Sequence, residues 1–525
     1  MNRPPAGSAA AARRSPSAWV EAPLLALLGA VQTLAFVCTA AWPLPLLTLL
    51  LLVWRLNQSP APRAALLGWC YGTAWLAAGV WWLFISMHRY GGLPAPLAAA
   101  AVLALCAALS LYLALACGLY ARWRSGRPGA DALLFAALWL LAEWARNDIF
   151  TGFPWLAAGY SQVDGPLAAL APWVGVVGVG ALMAWAVAML AGLGVLPVAR
   201  RAPVAVAVLL VLTLPGLAGP VPFTQSAGRF SVALLQPNVS QDEKFAAERM
   251  PEALAWVARQ LLAARVDLVV TPETAVPLLP GQLEDFAPGY WAGLVAHFSA
   301  PGRAALVGVP LGDFDLGYTN SVAGLSAPTA ASAAVYRYDK QHLVPFGEFI
   351  PTGFRWFTRL MNIPLGDFSR GVLNPPSFVV GAQRVAPNIC YEDLFGEELA
   401  RRFVDPALAP TVFANVSNIG WFGNTIAIDQ HRHISRFRAL EFQRPMIRAT
   451  NTGATALIDH HGQVLAELPR HTQGVLQGQV EGRSGTTPFA WWAARAGLWP
   501  LVGLAVLMCL LAWRGNHVRR RARRP

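Results

Sequence analysis

Charge is scarce in this chain of 525 residues: Asp, Glu, Lys and Arg together make up 13% of it, against 55% hydrophobic residues and 21 tryptophans. With a positive mean hydropathy, that balance excludes an ordinary soluble globular protein. Cysteine is scarce as well. Five of the six, Cys38, Cys70, Cys106, Cys117 and Cys509, lie in strongly apolar segments, and Cys390 stands alone in the long polar stretch between them. A lone thiol forms no disulfide within that stretch, so Cys390 is either packing or a nucleophile. No internal repeat and no long low-complexity tract is visible beyond a short Ala/Arg/Pro arm at the N-terminus.

What is present is a set of apolar runs, at about Pro23 to Thr39, Pro43 to Leu56, Ala64 to Ser86, Pro94 to Tyr120, Leu133 to Ala145, Val174 to Val198, Pro203 to Leu217 and Phe489 to Trp513. A bilayer crossing takes about 20 residues, which several of these supply outright. Eight crossings place alternate loops on the same side. One set (Arg3, Arg13, Arg14; Arg55, Arg63; Arg122, Arg124, Arg127; Arg200, Arg201; and the tail Arg514, Arg519, Arg520, Arg521, Arg523, Arg524) carries nearly all the basic residues of the arm, short loops and tail, and the alternate short loops only Arg89 and Arg146. Positive charge stays on the cytoplasmic side. The expected order is therefore a cytoplasmic arm at 1–22, a membrane domain of about seven helices at 23–220, an extracytoplasmic domain at 228–485, a last membrane helix at 489–513 and a basic cytoplasmic tail at 514–525. Trp42 and a second apolar run follow the first run at once, with no small-residue cleavage site, so an uncleaved first span is expected. The net charge of +12 sits in the membrane flanks. The tail reads as a topology anchor touching anionic lipid, and nucleic acid is not an expected partner.

Within 228–485 the pattern alternates strand and helix, as in an α/β layered fold. Strand-like runs fall at Phe230 to Leu235, Asp267 to Val270, Ala304 to Val309, Ala333 to Tyr338, Phe378 to Val380, Arg384 to Ile389, Thr411 to Val416, Met446 to Thr450 and Ala454 to Ile458. Helical periodicity runs over Asp242 to Arg265, and a polar helix over about Ile428 to Arg444. Three reactive side chains each follow such a strand: Glu273 after Val269 to Pro272, Lys340 after Val335 to Asp339, and Cys390 after Ala386 to Ile389. Ligand sites in α/β sheets form at that edge. Chemically the three are complementary. Glu273 takes the thiol proton and later returns it to a leaving group, while Lys340 holds the thiolate and the oxyanion of a tetrahedral intermediate. Taken singly, Glu273 also reads as a helix-start charge, Lys340 as a solvated lysine and Cys390 as core packing.

The runs TPETAVP around Glu273, YDKQHLVPFGEFIP around Lys340 and NICYEDLF around Cys390, in that order, resemble the three signatures of the nitrilase, or carbon–nitrogen hydrolase, superfamily. With the flanking apolar helices, the whole chain resembles the membrane-embedded branch that N-acylates bacterial lipoproteins. The resemblance implies an α-β-β-α sandwich. It makes Glu273 the base, Lys340 the oxyanion-stabilising lysine and Cys390 the nucleophile, with Glu348 orienting the lysine and Tyr391 and Glu392 supporting the site. Phe245, after Lys244, stands where family members often carry Trp. Also implied are a phosphatidylethanolamine-like acyl donor, a thioester on Cys390, a diacylated apolipoprotein whose N-terminal α-amine accepts the chain, and residence in the bacterial inner membrane with the catalytic domain periplasmic. No cofactor is called for, and a monomer is expected.

Substrates with acyl chains stay in the bilayer, at about 0.8 kcal/mol per buried methylene, so the site has to open at membrane level. Phe349 to Phe368, with Phe354, Trp356, Phe357, Leu360, Met361, Ile363 and Leu365, reads as an arm dipping into the interface, and Trp421 with Phe422 as a second lid; capping of the domain core is the alternative. Asn418, with Asn415 and Ser417, ends a strand at the same edge and is a candidate pocket residue or a turn former. His431 and His433 point to different faces of a helix and no third ligand is evident, so no metal is expected. A membrane-tethered amidase would use the same residues to pass the acyl group to water. A transporter or non-catalytic scaffold is the other alternative, against which the sparseness of intramembrane charge, with Glu143 near a helix end, counts.

Overall fold

A computed structural model of the protein describes residues 18–328, 335–351, 353 and 368–522. Of the expected interfacial arm, Phe354 to Leu365 lie outside the described residues. Among those described, six helices are long and apolar enough to cross a membrane: Thr39–Leu56, Ala95–Trp123, Pro128–Thr151, Pro166–Val195, Val198–Ala218 and Trp499–Arg519. The third expected crossing is a pair of helices, Ala61–Val80 and Leu83–Tyr90, bent by 63°, and the first is a shorter apolar helix, Val20–Phe36. The last span departs from the sequence expectation. It starts at Trp499 rather than Phe489, because Gly497 (φ +55°) breaks the chain. Pro488–Ala496 is a separate helix whose Phe489, Ala490, Ala493 and Ala494 bury in the core of the polar region.

The polar region holds two six-stranded sheets. The strands are β1 (Thr224–Gln236), β2 (Leu268–Val270), β3 (Ala304–Asp313), β4 (Gly317–Ser326), β5 (Val335–Asp339), β6 (Phe378–Val380), β7 (Gln383–Ile389), β8 (Val412–Ser417), β9 (Met446–Thr450), β10 (Ala456–Ile458), β11 (Val464–Glu467) and β12 (Gly474–Gly485). One sheet has the order β12-β1-β2-β3-β4-β5 and the other β11-β10-β9-β8-β7-β6. Alternation along the strands builds the layers. Val232 and Leu234 of β1, Leu268 and Val270 of β2, and Val412, Ala414 and Val416 of β8 meet between the sheets. Their neighbours Ala233, Leu235 and Val269 face outward under the helix Met250–Ala263 (Leu254, Val257, Leu261), and Phe413 packs outward with Phe403, Ala439 and Phe442. The result is the α-β-β-α sandwich. Two triplets, β1-β2-β3 and β7-β8-β9, are parallel, so each aligns the carboxyl ends of its strands at one edge.

The helix expected at Asp242 to Arg265 starts only at Met250, since Pro251 sits in its first turn and Ser240 to Ala246 form consecutive turns. The polar helix is Ala427–Phe442, and it is almost wholly buried. Its Ala439 and Phe442 pack on the second sheet, while Ile428, Ile434, Phe437 and Leu440 join the core of the apolar helices. Two of its polar residues find partners on that side. Gln430 Oε1 accepts from the indole N–H of Trp82 (3.1 Å) and Trp155 (2.8 Å), and Glu441 accepts from Val176 N at 2.6 Å.

Candidate active site

The chain leaves β2 into Thr271, Pro272 and Glu273, and Thr274 adopts φ +52°. The Glu273 side chain is 7% exposed at the sheet edge. Lys340, 1% exposed, directly follows β5, and its main-chain N–H donates to Asn320 O on β4 at 2.8 Å. Lys340 Nζ donates to Glu348 Oε1 at 2.9 Å and lies 3.3 Å from Glu273 Oε1. Between the two carboxylates Asn320 Nδ2 donates to both, at 2.7 Å each. Glu348 Oε2 is fixed by Val344 N at 2.8 Å, and Glu273 Oε2 by Asn418 N at 2.8 Å. A buried ammonium is thus held by two carboxylates, and each carboxylate is held by neutral donors.

Cys390 follows β7 and has φ +51°, a left-handed conformation that costs a non-glycine residue about 1–3 kcal/mol and is found where a side chain has to be aimed. The turn is braced from behind. The Cys390 carbonyl accepts from His431 Nε2 at 3.1 Å, His431 Nδ1 lies 3.2 Å from Arg448, and Arg448 bonds Ser435 and pairs with Asp393 at 3.4 Å. Burial together with Arg448 holds His431 well below the ordinary histidine range, so the ring is neutral and its Nε2 carries the proton donated to Cys390. Glu392 joins the two sheets. Its Oε2 accepts from Tyr338 on β5 (2.6 Å) and from Ile389 N (2.7 Å), and its Oε1 accepts from Gln341 N (2.7 Å), next to Lys340. Tyr391 donates to Gly152 O at 2.9 Å, and His342 lies 2.9 Å from Thr151 O, so the segment after the helix Pro128–Asp148 abuts the residue next to the thiol.

The electrostatics follow from burial and pairing. Burial raises the Glu273 carboxyl, but Lys340, Asn320, Lys244 and the Asn418 N–H outweigh it and leave Glu273 below the ordinary glutamate range. Burial also disfavours the Lys340 ammonium, yet Glu273, Glu348 and Cys390 hold its proton more tightly than in water. The Cys390 thiol is pushed up to about 12 by burial and by the Glu273 charge, against the pull of Lys340. At neutral pH the site therefore rests as a thiol beside a carboxylate and an ammonium.

Of the other sequence candidates, Asn418 is built into the site: its Nδ2 donates to Gln241 at 2.8 Å and its Oδ1 accepts from Asn451 at 3.1 Å. Trp421 meets Tyr90 edge-on at 5.4 Å, and Phe422 lies 4.3 Å from Trp82, so both rest on the bent helix pair. Phe245 is 48% exposed. Asn320 and Lys244 were not singled out from sequence. Asn320 lies in β4, whose glycines and small side chains hide the strand. Lys244 does carry a signal, since it is one of two lysines in a chain with 40 Lys and Arg.

A two-sheet sandwich carried on apolar helices, with glutamate, lysine and cysteine meeting at its strand ends, defines a membrane-embedded enzyme of the carbon–nitrogen hydrolase class. The comparisons agree with that class and narrow it. Residues 231–488 match the family described as carbon-nitrogen hydrolase, and residues 28–189 match the apolipoprotein N-acyltransferase N-terminal domain. Proteins named apolipoprotein N-acyltransferase from Verminephrobacter eiseniae (52% identical, covering 93% of this chain and 96% of the relative), Ralstonia nicotianae (47%; 94% and 92%) and Bordetella bronchiseptica (42%; 96% and 98%) are similar over nearly their whole length. The chain belongs to the apolipoprotein N-acyltransferase family, and it is an acyltransferase of the bacterial inner membrane.

Proposed function

We propose that the protein moves a fatty acyl chain from a phosphatidylethanolamine-like phospholipid to the α-amine of the N-terminal diacylglyceryl-cysteine of an apolipoprotein, through a thioester on Cys390. Glu273 takes the thiol proton as the Cys390 sulfur attacks the ester carbonyl carbon, and Lys340 stabilises the oxyanion. Collapse of the tetrahedral species breaks the ester C–O bond. Glu273 returns the proton to the departing oxygen, giving a lysophospholipid. The neutral α-amine then attacks the thioester, Glu273 accepts its proton, the C–S bond breaks, and the thiolate recovers that proton as the amide leaves. Glu348 and Asn320 keep Lys340 and Glu273 in register, and Glu392 with Tyr391 supports the elbow.

The observation that carries this reading is the buried Lys340 ammonium, shared between Glu273 and Glu348 at the edge where the strained Cys390 turn is braced. That a segment following a membrane-length helix touches Tyr391 supports delivery of lipid substrates to the thiol. The arginine asymmetry supports a periplasmic catalytic domain, cytoplasmic termini and the domain limits expected from sequence. The test is mass spectrometry of the full-length protein incubated with phosphatidylethanolamine vesicles and a diacylated peptide. A fatty-acyl adduct on Cys390 alone among the six cysteines, followed by N-acylated peptide, is expected. Release of free fatty acid without N-acylated peptide would favour the amidase-type reading instead.

A further inference from the structure

All but two of the 40 basic side chains in the sequence are arginines, and the two lysines are Lys244 and Lys340. A guanidinium is planar, wide and permanently charged, whereas an ammonium is compact and can lose its proton when buried. In a chain that uses arginine nearly everywhere, lysine marks positions where compactness and a tunable charge matter. Lys340 is already accounted for. Lys244 is 7% exposed and lies in the turns between β1 and the helix Met250–Ala263. Its Nζ donates to the main-chain carbonyl of Glu273 at 3.1 Å, and among the described residues this is its one hydrogen-bond acceptor.

The segment carrying Lys244 is strapped across the strand ends. Asn238 has φ +54°, and its N–H donates to Asn451 O at 2.9 Å. Asn451 and Val239 exchange two further bonds, of 3.0 and 2.8 Å. Gln241 accepts from Asn418, whose own N–H holds Glu273 Oε2. Asp242 is paired with Arg89 beside the bent helix pair. The strap therefore presses Lys244 onto the turn that aims Glu273. The groups acting on its ammonium are Glu273 from the end of β2 and the Cys390 sulfur from the end of β7; Lys340 and Glu348 pair with or neighbour Glu273, Asp242 and Glu243 lie on its own segment, and Arg89 reaches Asp242 from the bent helix pair.

We propose that Lys244 is a positioning residue for acyl transfer: its ammonium fixes the Glu273 turn and supplies the second positive charge that holds the negative charge as it passes from the Glu273 carboxylate to the Cys390 sulfur. The inference rests on the acyl-transfer reading for its reaction but not for its electrostatics. Burial, only partly offset by Glu273 and Cys390, lowers the Lys244 ammonium to about 8. Its contribution is therefore present below that pH and fades above it.

The experiment compares the full-length protein with Lys244→Met and Lys244→Arg, each checked for its melting temperature. In acyl transfer, Lys244→Met is expected to lower kcat by about 10- to 100-fold with little change in KM for the phospholipid. Its acid limb should move to higher pH by about one unit, because Glu273 loses a neighbouring cation. The gap between wild type and Lys244→Met should narrow above pH 8, as the wild-type lysine loses its proton. Lys244→Arg, which keeps the charge, should keep the wild-type acid limb. A second arm needs no lipid: alkylation of Cys390 by iodoacetamide, followed peptide by peptide, should be about tenfold slower in Lys244→Met at pH 7. Unmoved acid limb and unmoved alkylation, with activity lost only in step with melting temperature, would overturn the proposal. So would a rise in phospholipid KM at constant kcat, which would make Lys244 a headgroup contact. If wild type transfers no acyl chain while alkylation still responds to Lys244→Met, the acyl-transfer reading fails and the electrostatic inference stands.

Discussion

The two sheets divide the chemistry unequally. The first, through β2, β4 and β5, supplies Glu273, Asn320 and Lys340, a charged cluster whose members bond each other directly. The second, through β7 and β8, supplies Cys390 and Asn418, a thiol and a main-chain N–H with no formal charge of their own. Its charges, Arg448 and Asp393, stand behind the elbow rather than beside the sulfur. The lesson is that each sheet alone is inert. A thiol pushed up to about 12 does not ionise by itself at neutral pH, and a carboxylate–ammonium cluster has nothing to activate. On the proposed mechanism reactivity arises only where the sandwich closes, which makes the apolar contacts between the sheets a functional requirement as well as a structural one.

Emptying either side breaks that division most severely. Cys390→Ala should remove the acyl-enzyme entirely and reduce transfer to background, at least about 10⁴-fold, with the fold retained. Glu273→Gln and Lys340→Met should each cost about 10²- to 10⁴-fold in kcat. The wild-type acid limb sharpens the comparison further. Glu273 stays ionised below the ordinary glutamate range because Lys340 and Asn320 outweigh burial. Activity, and the stability drawn from that pairing, should therefore persist as the pH falls through about 4.3 and be lost only as Glu273 itself takes a proton. Loss of turnover near pH 6 in rate profiles would contradict this assignment of the base.

A smaller effect is expected from the residue that links the sheets. Glu392 accepts from β5, from β7 and from the main chain beside Lys340, and burial raises its carboxyl above the ordinary range despite these bonds. Glu392→Gln puts an amide group where only acceptors fit, so a donor faces a donor. A loss of about 1–3 kcal/mol is expected by chemical denaturation, together with slower acylation of Cys390. Unchanged stability with normal acylation would show that the sheets hold their register without it.

The layers and the three strand-end side chains were legible because their strands are short apolar runs that stop abruptly at a charged or thiol residue: Val269 to Glu273, Val335 to Lys340 and Ala386 to Cys390. Other features were not. β4, GYTNSVAGLS, has no uninterrupted apolar run, and it carries Asn320, which bonds both carboxylates. β12 is polar because it pairs along β1 at the end of its sheet, with much of its length half-buried or exposed. The helix Ala427–Phe442 reads as a polar helix from its composition, yet it is almost wholly buried. Some of its polar groups find partners in the apolar region more than 200 residues away in sequence, such as Trp155 and Val176, and no local pattern reports a partner at that distance. Phe489 to Ala496 reads as membrane for the converse reason, since an amphipathic core helix and the start of a span share one composition until Gly497 turns the chain.

The mildest change tests whether the contact between the catalytic edge and the membrane helices matters to chemistry or only to assembly. Tyr391 donates one hydrogen bond to Gly152 O, while its ring packs on Phe395 and His342. Tyr391→Phe keeps the ring and removes the donor. The expected cost is about 1–3 kcal/mol of stability, because the Gly152 carbonyl left behind is buried. If the contact serves only docking, acylation of Cys390 by phospholipid and alkylation by iodoacetamide should both stay within about threefold of wild type. If it also sets the height of the thiol relative to lipid, phospholipid acylation should slow while iodoacetamide alkylation holds, because only the lipid has to approach from the membrane side. The second outcome is expected, because Tyr391 is covalently next to Cys390, the proposed nucleophile, and a shift of Tyr391 acts directly on the strained turn that carries the sulfur.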